Sequence, residues 1–128
     1  MPHISIEYSG NLDDIVDIGA LCEKLRIAGI ETGVFPIPGI RVRAFRATHY
    51  AIADGDPQHG FVDISVRLRE GRSKDKKEEA TTHLFAAAEA FLAEALTKHP
   101  IALSLEMRDI DASLSPKTGT IREHLKDG

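Results

Sequence analysis

Apolar and polar residues alternate in three segments of the chain, and this period of two is typical of half-buried β-strands. The segments are His3–Tyr8, FVDISVRLR at residues 61–69, and IALSLEMRDI, which follows Pro100. Composition predicts a further strand that begins at about Ile40 in IRVRAFRATHYAI, which is rich in β-branched and aromatic residues. No element is predicted after Pro116. The side chains predicted to face the core are Ile4, Ile6, Tyr8, Val62, Ile64, Val66, Leu68, Leu103, Leu105 and Met107.

Apolar residues recur at helical spacing between the first and second strands, and again between the third and fourth. Asn11 is predicted to cap the first helix, and Gly29 is placed to end it. The segment from Ser73 to His99 contains no proline or glycine, which predicts one long amphipathic helix capped by Ser73 or Asp75. The apolar face of the first helix is predicted to comprise Ile15, Ile18, Leu21, Cys22 and Leu25.

The order strand, helix, strand occurs twice and predicts two similar β-α-β halves. A helix that links two strands favours parallel pairing within each half. The predicted fold class is therefore α/β (α+β), a two-layer sandwich of a four-stranded sheet with both helices on one face, in a single domain over residues 1–128. The other face, which could be solvated or form a polar interface in an oligomer, would carry Ser5, Glu7, Ser65, Arg67, Ser104 and Glu106.

Composition narrows the classes of partner. The chain has 128 residues, of which 42% are hydrophobic and 28% charged, as in a folded globular protein. The formal net charge of −4 argues against nucleic acid or an anionic membrane surface as a partner, and no stretch is apolar enough to span a membrane. The N-terminus does not resemble a secretory signal, and the single Cys22 cannot form an internal disulfide. We therefore expect a cytoplasmic protein.

Several common site motifs are missing from the sequence. The six histidines include no close pair at metal-ligand spacing and no HExxH, so no metal site is expected. There is no GxSxG and no dinucleotide fingerprint, and GRSKDKKEEA lacks the glycine spacing of a phosphate-binding loop. Cys22 lies on the apolar face of the first helix, where a cysteine usually behaves as a small hydrophobe rather than a nucleophile.

Pro2 and three arginines are the candidate functional residues. Proline donates no backbone hydrogen and is common where a strand begins, but if Met1 is removed Pro2 becomes a secondary amine that can accept a proton. Arg41 and Arg43 stand at the start of a strand and Arg72 lies in REGRS before the long helix, positions that suit carboxylate binding. The alternative to carboxylate binding is that each arginine is solvated or structurally paired. We assign that alternative to Arg46, Arg67 and Arg69.

Taken together, the segments MPH, FPIPGIRVR, ADGD and REGRS resemble the 5-carboxymethyl-2-hydroxymuconate Δ-isomerase family of the tautomerase superfamily. The resemblance extends from Pro2 to the LSLE strand near Glu106. It implies a homotrimer in which an amino-terminal proline, here Pro2, carries the proton. It also implies that Arg41 and Arg72 bind substrate carboxylates, with Arg43 as a further candidate.

The activity implied by the resemblance is isomerisation of an anionic dienol to its conjugated ketone, without a cofactor or metal. The substrate of the family arises in bacterial breakdown of homoprotocatechuate, itself formed from 4-hydroxyphenylacetate. One well-placed base can remove the hydroxyl proton and deliver a proton to carbon. An α-amino group, whose pKa is about 7.7–8.0, would have a lower pKa among apolar groups and arginines.

Two alternatives remain open from the sequence. The chain could be a tautomerase of another substrate, such as a smaller 2-hydroxymuconate or a phenylpyruvate-like enol. It could also be a catalytically silent trimeric scaffold or small-molecule carrier that retains the fold. Substrate profiling distinguishes the first alternative from the activity of the family, because only a tricarboxylate should use every arginine.

Overall fold

The order of strands and helices along the chain is the predicted one. The computed structural model describes residues 2–126. The strands are β1 (His3–Ser9), β2 (Arg41–Ala47), β3 (Gly60–Arg69) and β4 (Ile101–Ile110). The helices are α1 (Ile18–Glu31), α2 (Lys74–Phe91) and α3 (Ala93–Lys98), and short 3-10 turns cover Gly10–Leu12, Ile37–Gly39, Ala112–Leu114 and Ile121–His124.

Strands β1 to β4 form one mixed sheet in the order β2-β1-β3-β4. Strand β1 is parallel to β2, and β3 is parallel to β4, because a helical crossover joins the two strands of each pair. The two halves meet at the centre of the sheet, where β1 and β3 are antiparallel. The predicted α+β class with two β-α-β units is confirmed.

One face of the sheet forms the core together with the helices. The predicted inward residues of β1 and β3 are almost completely buried, and those of β4 are partly buried against them. Helix α1 contributes Leu21 and Leu25, and α2 contributes Leu84 and Ala88, to the same cluster. Cys22 packs at its margin, and burial raises the pKa of the Cys22 thiol, which fits the predicted role as a small hydrophobe.

Helix α1 begins later than predicted. Its cap is Asp17, whose side-chain carboxylate accepts a hydrogen bond from the amide of Ala20 at 3.0 Å. Asn11, the predicted cap, instead donates its side-chain amide to the carbonyl of His59 at 2.8 Å and so ties the end of β1 to a distant loop. Ile15 therefore precedes the helix, and 38% of its surface is exposed rather than buried on the helix face.

Gly29 was predicted to end α1, but it lies inside the helix. A Cβ at this position would lie 3.1 Å from Cδ2 of Phe35 and 3.3 Å from Cδ1 of Ile40, so the glycine permits close packing of the following connection. The helix runs on to Glu31, and the backbone turns at Gly33, whose φ is +74°. The prediction that Gly29 ends the helix is therefore wrong. Glycine is favoured at this position because of close packing, not because the helix ends there.

The segment predicted as one long helix is interrupted once. Ser73 caps α2 as predicted, since its hydroxyl accepts a hydrogen bond from the amide of Lys76 at 3.3 Å. The helix stops at Phe91, and α3 begins at Ala93. Leu92 between them is buried and has φ −92° and ψ 5°, outside the helical region, although no proline or glycine marks the break.

Two kinds of feature are absent from residues 2–126. No helix in this range is long and apolar enough to cross a membrane. No group of three or more His, Cys, Asp or Glu side chains in this range could hold a metal ion. The cytoplasmic location stays a prediction.

Candidate active site

The candidate site lies at the end of the sheet where β1 begins. The side chain of Pro2 is fully buried there, and its carbonyl accepts a hydrogen bond from the amide of Arg41 at 3.4 Å. Parallel pairing makes β2 begin at this end, and antiparallel pairing makes β3 terminate at it. Pro2 is therefore bordered by the start of one strand and the end of another.

The register brings basic residues into one row on the face of the sheet that the helices leave open. His3 pairs with Arg41 on one side and with Arg67 on the other, and Arg67 pairs in turn with Arg108. Residues that pair directly project from the same face, and neighbouring strands are about 4.8 Å apart, so this basic row spans roughly 15 Å. The row next to it consists of Arg43, Ser5, Ser65 and Glu106.

The opposite end of the sheet has a different character. There Glu7 of β1 pairs with Phe45 of β2 and with Asp63 of β3, and Asp63 pairs in turn with Ser104 of β4. This row carries two carboxylates and no basic side chain. The fold repeats, but the proline and the basic row occur at one end only.

His3 is a neutral member of the basic row. The Arg43 guanidinium donates from Nη1 to Nδ1 of His3 at 3.0 Å, and a guanidinium can only donate, so the imidazole proton is on Nε2. Burial, followed by the charges of Arg67, Arg43 and Arg41, lowers the pKa of His3 from 6.5 to about 4. The imidazole therefore orients Arg43 near pH 7 without adding charge.

The arginines of this end are short of carboxylate partners. Within residues 2–126, Arg41, Arg43 and Arg67 form no ion pair. Arg108 makes one long contact, 3.6 Å from Nε to Oε1 of Glu106, and donates to the hydroxyl of Ser65. An excess of positive charge therefore remains beside Pro2, which suits binding of an anion.

Arg72 lies in the connection from β3 to α2 and clamps backbone carbonyls. Its guanidinium donates to the carbonyl of Arg69 at 3.2 Å and to that of Val34, in the α1–β2 connection, at 3.1 Å. These contacts use part of its donor capacity and leave its charge without a carboxylate partner in the described residues. Arg41 and Arg43 share one face of β2, whereas Arg72 lies in the β3–α2 connection and holds backbone carbonyls.

Sequence reasoning missed three members of the site. His3, Arg67 and Arg108 all occupy outward positions of predicted strands, but only the register shows that they stand side by side with Arg41. Arg67 is exposed, as expected of a solvated arginine, and it also belongs to the basic row. Arg46 is structurally paired, as predicted, because its Nε donates to Oδ2 of Asp13 at 2.6 Å.

The double β-α-β sheet headed by Pro2 defines a protein of the tautomerase superfamily. The chain superposes on a Q0 fused 4-OT wild-type symmetric trimer with a TM-score of 0.61, over 87% of each chain. At 17% identity this likeness shows the fold alone. The chain belongs to the 5-carboxymethyl-2-hydroxymuconate isomerase family, whose family model matches residues 2–125.

Individual relatives agree with this assignment. The chain is 28% identical to the Escherichia coli 5-carboxymethyl-2-hydroxymuconate Delta-isomerase over 126 residues, which cover 98% of this chain and 100% of that protein. It is 34% identical to the protein in a crystal structure of 5-carboxymethyl-2-hydroxymuconate delta-isomerase, with a TM-score of 0.90 over 100% of this chain and 95% of that chain. The resemblance stated from the sequence is confirmed, as is the expectation of an isomerase.

The pKa of His3 gives a testable consequence for stability. The unfolded chain takes up the proton near pH 6.5, while folded His3 takes it up only near pH 4, so protons favour the unfolded state between these values. The free energy of unfolding should therefore fall as pH drops through this window, and less so in His3→Gln. Imidazole titration by NMR and urea unfolding measure the two effects. His49→Gln, at an exposed imidazole, is the control. A His3 titration midpoint near 6.5 would contradict the description of the row.

Proposed function

We propose that the protein isomerises 5-carboxymethyl-2-hydroxymuconate to its conjugated oxo isomer, as a step in the breakdown of homoprotocatechuate. The observation that carries this proposal is the position of Pro2, buried at the head of β1 beside arginines without carboxylate partners. Family membership supports the same substrate, since the relatives in Escherichia coli and in the crystal structure bear this activity in their names.

Pro2 serves as the proton carrier in this proposal. With Met1 removed, the neutral amine accepts the proton of the substrate hydroxyl, and the oxygen becomes the carbonyl as its electron pair moves inward. The double bond shifts along the carbon chain, and the amine returns a proton to the terminal carbon of the dienol system. The hydroxyl proton lost equals the carbon proton gained, so one base completes the cycle. Met1 itself lies outside the described residues.

The surroundings of Pro2 favour the neutral, basic form of that amine. The proline ring is fully buried, and burial disfavours a charged ammonium. The backbone amide of Arg41 donates to the carbonyl of Pro2 across the β1–β2 ladder, and the positive charge of this neighbouring residue disfavours a second positive charge on the amine. Both effects act in the same direction, so we expect the pKa of the Pro2 amine to lie below the usual α-amino value of about 7.7–8.0.

The arginines bind the anionic substrate and stabilise the dienolate. Arg41 and Arg43 project from the same face of β2, next to the start of β1. Negative charge grows on the substrate oxygen as the hydroxyl proton leaves, and a fixed positive charge stabilises that state more than the ground state. Arg72 holds the α1–β2 connection through its hydrogen bond to the carbonyl of Val34, and it supplies positive charge at the same end of the sheet. No cofactor or metal has a part in these steps.

The assembly proposed is a homotrimer in which each copy of residues 1–128 forms one domain. The open face of the sheet is polar, with basic residues at one end and Glu7 and Asp63 at the other, so it can pair with complementary charge on another copy. The fused 4-OT neighbour, which shares the fold, is a symmetric trimer. A trimer would cover this face and exclude water from the site.

Activity should depend on a free Pro2 amine. When Met1 is retained, the nitrogen of Pro2 is an amide whose lone pair is delocalised into the carbonyl, so it cannot act as a base near pH 7. We expect Met1-processed protein to turn over the dienol, as followed by ultraviolet absorbance, and Met1-retained protein to lose most of the activity. Mass spectrometry confirms the N-terminus, and circular dichroism confirms that both forms are folded. Equal rates in the two forms would exclude the proline base.

Arg41→Ala and Arg72→Ala should each lower kcat/KM for the tricarboxylate dienol. A hydrogen bond to a charged group contributes about 1.5–3 kcal/mol, so each loss should be about 10- to 150-fold. Arg72→Ala should also lower Tm, because it removes the contacts to Val34 and Arg69, whereas Arg41→Ala should not. Arg26→Ala, on an exposed helix surface, is the control. Light scattering should give about three times 14.0 kDa for every variant. Wild-type turnover by both variants would refute these roles.

A further inference from the structure

A cavity of about 360 Å³ opens beside Arg41, and the C-terminal segment forms one of its walls. The opposite wall is the connection that leads from α1 into β2. Lys117 and Arg122 reach the cavity from the C-terminal segment, defined here as residues 117–122. The lining residues are Pro36, Pro38, Gly39, Arg41, Lys117, Thr118, Gly119, Ile121 and Arg122.

The charge of this cavity is entirely positive. Its lining contains Arg41, Lys117 and Arg122 and no carboxylate. Within residues 2–126, none of these three side chains forms an ion pair. The chain as a whole carries a formal net charge of −4, so the concentration of positive charge here is local. Cations that converge on one concavity repel one another, and a bound anion would relieve that repulsion.

The remaining lining suits a small organic anion. Pro36, Pro38 and Ile121 offer apolar surface for a carbon skeleton, and Thr118 and Gly119 offer polar backbone groups. The volume lies within the range of small-molecule sites, about 300–1,000 Å³. Solvated surface cations are the ordinary alternative for Lys117 and Arg122, which are exposed. Their convergence on one concave site with Arg41, which is next to Pro2 in the β1–β2 ladder, favours a binding role instead.

We propose that Lys117 and Arg122 form, together with Arg41, a subsite that binds one carboxylate of a polycarboxylate substrate. The C-terminal segment is then a specificity element, since it supplies two of the three cations. This inference rests on the proposed function, in which Arg41 binds substrate beside Pro2. It adds residues outside both β-α-β units to the recognition of the substrate.

The first test compares a charge-removing double variant with a matched control. Lys117→Ala with Arg122→Ala should lower kcat/KM for the tricarboxylate dienol about tenfold or more, which is the low end for charged hydrogen bonds because both side chains are exposed. The same variant should change turnover of phenylenolpyruvate, which has a single carboxylate, less than about twofold. The control, Lys24→Ala with Lys76→Ala, removes the same charge from exposed helix positions and should match wild type for both substrates. An equal loss for both substrates, or none, would overturn the subsite.

A binding measurement separates this inference from the proposed activity. Tricarballylate is a saturated tricarboxylate that cannot tautomerise, and calorimetry can follow its binding to wild type and to both double variants. We expect binding by wild type and the control and at least tenfold weaker binding by the C-terminal double variant, with Arg122→Lys close to wild type. That pattern without turnover of the dienol would uphold the subsite and reject the proposed function. Equal binding by all variants, or no binding by wild type, would overturn the subsite.

Discussion

The antiparallel pairing of β1 with β3 is the constraint on which the candidate site depends. Within each β-α-β unit the crossover helix makes the two strands parallel, and only the central pair, β1 and β3, is antiparallel. The reversal places the end of β3 and the start of β1 at one edge, where His3 faces Arg67. A parallel junction would bring the start of β3 to Pro2 instead, and the basic row would not form.

The site concentrates positive charge at one end of an acidic chain, and this arrangement opposes folding. The free-energy cost of this arrangement is offset by the apolar core on the other face of the sheet, where the inward side chains of β1 and β3 are almost completely buried. Local arrangements that oppose stability are typical of functional sites. Here the neutral imidazole of His3 limits the cost, because it orients Arg43 without contributing a further charge. The same excess of charge would lower the pKa of an amine at Pro2 and hold an anionic substrate.

Most of the fold could be predicted from the sequence, because alternation and helical spacing report which face of an element is buried. The predicted inward residues of β1 and β3 are those that the structure buries. Helix boundaries were less predictable, since Asn11 and Gly29 form tertiary contacts with His59 and Phe35 that local patterns cannot show. The basic row depends on strand register, and the positions of Lys117 and Arg122 depend on how the C-terminal segment packs. Pro2, Arg41 and Arg43 could be selected because their chemistry and their strand positions agree.

The central claim is that this end of the sheet makes the Pro2 amine a neutral base, and its pKa is the most direct measure. The amine can be titrated by NMR in Met1-processed protein labelled with ¹⁵N-proline, with the unfolded protein in urea as the reference. The account predicts a folded-state pKa below the reference and below the usual α-amino range of about 7.7–8.0. A folded-state pKa equal to or above the reference would contradict it, because Pro2 would then be protonated at neutral pH and unable to accept the substrate proton.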